Sequence, residues 1–281
     1  MVEMGVGGDD LYPLTDKGLV DFQNFQIMRF GSNDPLFPFN TWEPSQMNAI
    51  FWYDAADAST ITATGNEATQ VLDKSGNNYT LSRQAGLIGP NTGILTLNGL
   101  NVLEWSGNNC LDNNLFTYNQ AAASLNIAMV FQVNTLINTQ AFILAGTNSA
   151  TDGQRMSVRI RTDNNFEVLG GSNTGVDISM GGGSVIRNQP YIILPKFNST
   201  SSAWRVNGTE TNTGNIGTNS FVNIQLGHNE IEGSDLTGFI AEMVSFSDNS
   251  KQQIVEGYLA WKWGLVANLP VGHLYKNTPP T

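Results

Sequence analysis

From residue 124 to 134 the chain reads SLNIAMVFQVN, and Leu125, Ile127, Met129, Phe131 and Val133 fall on every second position. A period of two is what a β-strand with a buried face produces. Ala128 and Val130 make the other face partly apolar as well, which predicts a strand covered on both sides. The pattern recurs along the chain. Met156, Val158 and Ile160 alternate with Ser157, Arg159 and Arg161. Asp163-Asn164-Asn165 then turns the chain, and Phe166 and Val168 return as the second arm of a hairpin. Residues 191–197 (YIILPKF), 203–210 (AWRVNGTE, with the hairpin dipeptide Asn207-Gly208), 221–227 and 236–247 complete the set. In 236–247, Phe239, Ala241, Met243 and Ser245 alternate with Ile240, Glu242, Val244 and Phe246. Both sets carry apolar residues, so this strand is expected to be central. Turn signals at the spacing of a β-sandwich, with no fixed-period repeat, predict an all-β domain.

Composition agrees. Of 281 residues, 13% are charged, about half the usual share, and Asn, Ser, Thr and Gly take their place. A formal net charge of −11 repels polyanions and argues against nucleic-acid binding. The single cysteine, Cys110, allows no disulfide within the chain. There is no apolar run long enough to span a bilayer. The stretch MVEMGVGGDDLYPLTDKG lacks the basic start and apolar run of a secretory signal. Synthesis in a cytoplasm follows as the expectation, with particle assembly as one route outward.

Residues 1–40 have no sustained period and read as an extended arm, either disordered or ordered on a partner. Their aromatics, Phe22, Phe25 and Phe30, favour an arm that orders on a partner or on its own domain. One helix is expected after Ser247 or Asp248, ending at Gly264. Ile254, Tyr258, Trp261 and Leu265 lie on one stripe of it. Trp263 falls on the opposite side and is expected to pack under the returning tail. A short helical piece is placed at 44–47.

Three stretches carry a resemblance that spans about 42–280. They are WEPSQMNAIFWYDAADASTIT with VLDKSGN, WRVNGTE with IQLGHN and LTGFIAEMVSFS, and IVEGYLAWKWGLVANLPVGHLYKNTPP. Together they resemble the concanavalin A-like, laminin-G-type jelly-roll domains of bacteriophage virion proteins and bacterial surface proteins. Leu274 stands where a common form of the ending has proline after the histidine. The resemblance implies a two-sheet antiparallel jelly-roll sandwich over 41–281, with the 1–40 arm and one C-terminal helix beside it. It does not imply one function.

Little points to catalysis. Glycanases of this fold need paired carboxylates on one strand, and the E-x-D-x-E arrangement is absent. Glu230 and Glu232 fit a solvated loop or an acid pair. His228 and His273 lack a serine or cysteine in a nucleophile context. Asp54, Asp57 and Asp73, with Asp112 and Asp235 behind them, are candidate calcium ligands or simply turn and cap residues. Sugar binding needs exposed aromatics beside amides and carboxylates. Trp105, Asn108, Asn109, Asp112 and Trp204 are the candidates, with Trp263 as a further aromatic and core packing as the alternative for each Trp. Gly181-Gly182-Gly183 reads as a flexible loop.

The expectation is a non-enzymatic bacteriophage virion protein, displayed on the particle surface as a capsid decoration or fibre component. It would attach to other virion proteins through residues 1–40, and a homo-oligomer is expected. The alternative is a glycan-binding adhesin that touches a host surface, and the third reading is a glycanase.

Overall fold

The computed structural model describes residues 42–135, 141–147, 155–172, 178–228 and 235–281. The arm at 1–40 and the acid pair Glu230 and Glu232 lie outside these. Eighteen strands are formed among the described residues. They are β1 (Phe51–Asp54), β2 (Ile61–Thr64), β3 (Glu67–Val71), β4 (Leu81–Arg83), β5 (Thr96–Leu97), β6 (Leu100–Asn101), β7 (Leu103–Ser106), β8 (Leu111–Asn113) and β9 (Leu125–Val133). Then follow β10 (Ala141–Thr147), β11 (Met156–Ile160), β12 (Asn165–Gly170), β13 (Ile178–Ser184), β14 (Pro190–Phe197), β15 (Ser202–Val206), β16 (Thr209–Gly214), β17 (Ile224–Leu226) and β18 (Thr237–Phe246). Among the described residues one α-helix, α1 (Gln252–Lys262), follows β18.

The strands make two large antiparallel sheets and a small hairpin, β5-β6. One sheet runs β1-β18-β9-β14-β15-β16, with β7 also paired to β18. The other runs β13-β12-β11-β10-β17-β8-β4-β3-β2. Their inner faces meet in one core. Leu125, Ile127, Met129, Phe131 and Val133 of β9 face Val158, Ile160, Phe166 and Val168 of the nine-stranded sheet within the same cluster. This is the two-sheet sandwich that the alternation predicted, and residues 156–168 form the expected hairpin. Asn207 and Gly208 both adopt positive φ, 49° and 79°, as the turn between β15 and β16 requires.

The central strands of the seven-stranded sheet, β18, β9 and β14, are buried on both faces, which explains the double apolar pattern of β9. Helix α1 packs across the outer face of β9 and β14. Strand β18 is central as expected, between β1 and β9. Its simple alternation breaks, however. Ile240 pairs with Phe131 and Glu242 with Val130, so Ala241 is an extra residue. This bulge puts Ile240 and Met243 in the same core and turns Glu242 to the helix side.

Three local expectations are corrected. The glycine run 181–183 is not a loop but part of edge strand β13. A Cβ on Gly182 would stand 1.7 Å from Trp204 Nε1, so glycine is what lets the strand lie on that indole. The piece at 44–47 is a single 3-10 turn, Pro44–Gln46. The helix is rolled relative to the expected stripe: Val255, Tyr258, Leu259, Lys262 and Trp263 are buried, while Ile254 and Trp261 are only half-buried. Gly264 does end it in the left-handed conformation, at φ 71°.

Candidate functional site

The helix side of the seven-stranded sheet carries the densest chemistry among the described residues. Strand β1 projects Trp52 and Asp54 there, the β18 bulge projects Glu242, and α1 brings Tyr258, Lys262 and Trp263 over them. Glu242 is 1% exposed. Its Oε1 accepts hydrogen bonds from Trp52 Nε1 at 2.7 Å and the Tyr258 hydroxyl at 2.8 Å. Its Oε2 accepts from Trp263 Nε1 at 2.7 Å and faces Lys262 Nζ at 2.8 Å. Lys262 Nζ also lies 2.8 Å from Asp54 Oδ1. Asp54 Oδ2 is 3.0 Å from Lys74 Nζ, which reaches Asp57 at 2.8 Å and sits 4.2 Å from the centre of the Trp52 ring.

Two buried carboxylates and two ammonium groups therefore balance in charge, with Asp57 at the rim. Burial alone would raise the Asp54 carboxyl, but Lys262 and Lys74 hold it below its ordinary value. Burial pushes the Glu242 carboxyl up, against the pull of Lys262 and with the push of Asp54. Burial would lower Lys262, yet its two carboxylate partners raise it above the usual lysine value. Such a cluster costs desolvation energy and tolerates no missing member.

A second buried ion pair fixes the tail. Arg205 of β15 forks onto Glu256 of α1 at 2.8 and 2.9 Å, and His273 Nε2 stands 3.4 Å from the same carboxylate. Trp261 Nε1 donates to the Tyr275 carbonyl at 2.8 Å. The expected roles of the two tryptophans are thus exchanged: Trp261 meets the tail, and Trp263 is sealed against the sheet.

An open cleft of about 430 Å³ lies beside the start of α1, lined by Ser45, Gln46, Met47, Asn48, Phe246, Ser247, Asp248 and Lys251. Its volume suits a small ligand, and most of its lining is hydroxyl, amide or charge. The space between the sheets is different. The cavity touching Tyr53, Trp105, Leu226 and Met243 holds about 10 Å³, room for one water at most.

The structure does not gather the sugar-binding candidates into one surface. Trp105 and Trp204 are 1% and 0% exposed in the sandwich core, so neither offers a ring for stacking. Asn109 is buried and pinned: its amide donates to the Gly89 carbonyl at 2.7 Å and its oxygen accepts from the Ser106 amide at 2.7 Å. Asn108 is an exposed turn residue at φ 56°. Asp112 lies in β8 and accepts from Asn114 at 3.1 Å. The calcium candidates are occupied otherwise. Asp54 and Asp57 face lysines, and Asp73 accepts from the amides of Trp52, Ser75 and Tyr79. Among the described residues, no group of three or more His, Cys, Asp or Glu could hold a metal ion.

Sequence reasoning missed the charge cluster and the cleft. For the cluster, signals were present: Glu242 interrupts an otherwise apolar central strand, and Lys262 stands between two tryptophans.

No family model and no curated protein sequence matches the chain. Solved structures do. The binding domain of botulinum neurotoxin DC in complex with rat synaptotagmin II superposes with a TM-score of 0.53 at 16% identity, over 75% of this chain and 52% of that one. A structure of botulinum neurotoxin type C, whose cell entry depends on two ganglioside molecules, gives 0.53 at 16%, over 75% and 51%. The neurotoxin DC binding domain in complex with SialylT gives 0.53 at 17%, over 75% and 51%. The match spans about half the length of those chains. At these identities the likeness establishes the fold, a β-sandwich shared with receptor-binding domains.

Proposed function

We propose that this chain is a non-catalytic sandwich module displayed on the surface of a bacteriophage virion, as a capsid decoration or fibre component. The single observation that carries the non-catalytic reading is the state of the buried carboxylates. Asp54, Glu242 and Glu256 are all held by cations from other elements, which suits a rigid scaffold rather than a pair poised over a glycosidic bond. The resemblance to concanavalin A-like virion domains supports the particle, and residues 1–40 are assigned to attachment. The test is co-sedimentation with particles. Full-length protein should pellet with them, and residues 42–281 should remain in the supernatant. Equal pelleting of both forms would sink the attachment role.

A second reading, glycan binding, is favoured by the cleft beside α1, whose hydroxyl, amide and carboxylate groups match the hydrogen-bonding of sugar hydroxyls. The ganglioside dependence and SialylT complex of the structural neighbours point the same way for those proteins. Binding on an array of host-surface glycans that disappears in Asp248→Ala would support this reading, and a blank array would count against it.

A further inference from the structure

We propose that Lys262 and Asp54 condense into an intramolecular isopeptide bond, with Glu242 as the proton carrier. The reading rests on the arrangement of the helix-side cluster. The Lys262 ammonium touches both Asp54 Oδ1 and Glu242 Oε2 at 2.8 Å. All three side chains are sealed from solvent, with exposures of 9%, 6% and 0%. Tyr258, Trp52 and Trp263 close around Glu242. An amine, a carboxyl and a second carboxyl in contact in a dry site are the groups that amide formation requires.

The step balances without any other reagent. Glu242 takes a proton from Lys262 Nζ and Asp54 Oδ1 receives it, which leaves a neutral amine against a neutral carboxyl. The nitrogen lone pair then attacks Asp54 Cγ to form the N–C bond. Oδ2 carries the developing negative charge, and Lys74 Nζ at 3.0 Å is placed to stabilise it. The Cγ–Oδ1 bond then breaks, and Oδ1 departs as water with the proton it received and one more from the attacking nitrogen. A carboxylate and an ammonium become one secondary amide and one water, and Glu242 ends as it began. Burial raises the Glu242 carboxyl and makes it the better proton acceptor. Against the effect of burial, the two carboxylates hold Lys262 above its ordinary value, and Lys262 and Lys74 hold Asp54 below its own, so the ion pair is the resting state and the proton transfer is the uphill step. The product replaces the desolvated charges of Asp54 and Lys262 with a neutral amide, and Glu242, which gives up Lys262 as its cation, keeps the hydrogen bonds of Trp52, Tyr258 and Trp263. It also ties β1 to α1 across the outer face of the sheet.

The experiment is mass spectrometry of the denatured full-length protein and of its proteolytic digest. The expected result is an intact mass lower by one water than the sequence mass, and a branched peptide that joins the Asp54 and Lys262 segments. In Glu242→Gln the full mass should return, and in Lys74→Met the cross-linked fraction should fall. Recovery of Asp54 and Lys262 only in separate, unmodified linear peptides of the wild-type protein would overturn the proposal, whatever the variants do. Complete cross-linking in a folded Glu242→Gln protein would overturn the role of Glu242. Lys262→Arg keeps a cation against both carboxylates but has no reactive amine, and a branched peptide in it would place the bond on another lysine.

Discussion

At the scale of single residues, the two neighbouring tryptophans of α1 separate packing from covering. Trp263 is 0% exposed and donates to Glu242 at 2.7 Å, whereas Trp261 is half-buried and hydrogen-bonds a carbonyl of the tail. Trp263→Ala should therefore cost about 3–5 kcal/mol, with the orphaned Glu242 acceptor adding to the cavity. Trp261→Ala should cost less than half as much. Urea denaturation of the two variants measures both, and equal losses would contradict the roll of the helix. Helical periodicity put these two residues on opposite sides of α1 but could not say which side meets the sheet, because the tail covers one side and the sheet the other. The charge cluster was written in the chain more openly. A lone glutamate inside GFIAEMVSF has to find a buried cation, and the nearest lysine in sequence that is itself flanked by apolar residues is Lys262. What stayed hidden was Asp54, whose place beside Lys262 depends on β1 pairing with β18 across the length of the domain. Trp105 and Trp204 show the limit in the other direction. A tryptophan on a strand has the same letter whether its face meets solvent or the opposite sheet, and these two meet the sheet.

At the scale of elements, β18 and α1 are joined by a turn that decides the angle at which the helix leaves the sheet. Asp248 accepts from the amide and hydroxyl of Ser250 at 2.9 and 2.7 Å. These bonds hold its carboxyl below its ordinary value. A carboxyl lowered in the folded state adds stability above its unfolded pKa of about 3.9. That stability disappears as pH falls through the lower folded value. Acidification from about pH 5 towards pH 3 should thus weaken the wild-type protein more than Asp248→Asn, whose amide oxygen keeps the cap without titrating. Thermal melts across that range check this, and parallel curves would show that the cap contributes nothing through its charge. The turn was legible from Asp248 and Gly264, since capping chemistry is local. The bulge at Ala241 was not, because a strand with apolar residues on both faces gives no sign of where its alternation slips. The glycine run of β13 was misread for a related reason: glycine marks a loop or a close approach equally well, and only the indole of Trp204 beneath Gly182 decides between them.

At the scale of the whole molecule, the last strand in the chain is a central one. Strand β18 pairs with β1 and β7 on one side and with β9 on the other. It sends Ile240 and Met243 into the sandwich core and Glu242 to the helix side. The fold class was legible because each strand declares its own period, whereas the order of strands depends on pairings between distant segments that no local pattern encodes. One consequence is that the seven-stranded sheet cannot close until residue 246 is in place. Without β18, β9 loses the partner on one side and β1 and β7 lose the strand they pair with, so the core faces of three strands have nothing to hold them in register. A protein ending at Asp235 should therefore remain unfolded, although it retains the whole nine-stranded sheet. The full-length chain should fold slowly for its size, on the ms–s timescale typical of sandwiches dominated by long-range pairing. Far-UV circular dichroism and amide-proton dispersion in solution test the truncation, and stopped-flow tryptophan fluorescence tests the rate. A dispersed, cooperative spectrum from residues 1–235 would mean that the nine-stranded sheet is stable alone, and that β18 with α1 docks onto a finished domain instead of completing it.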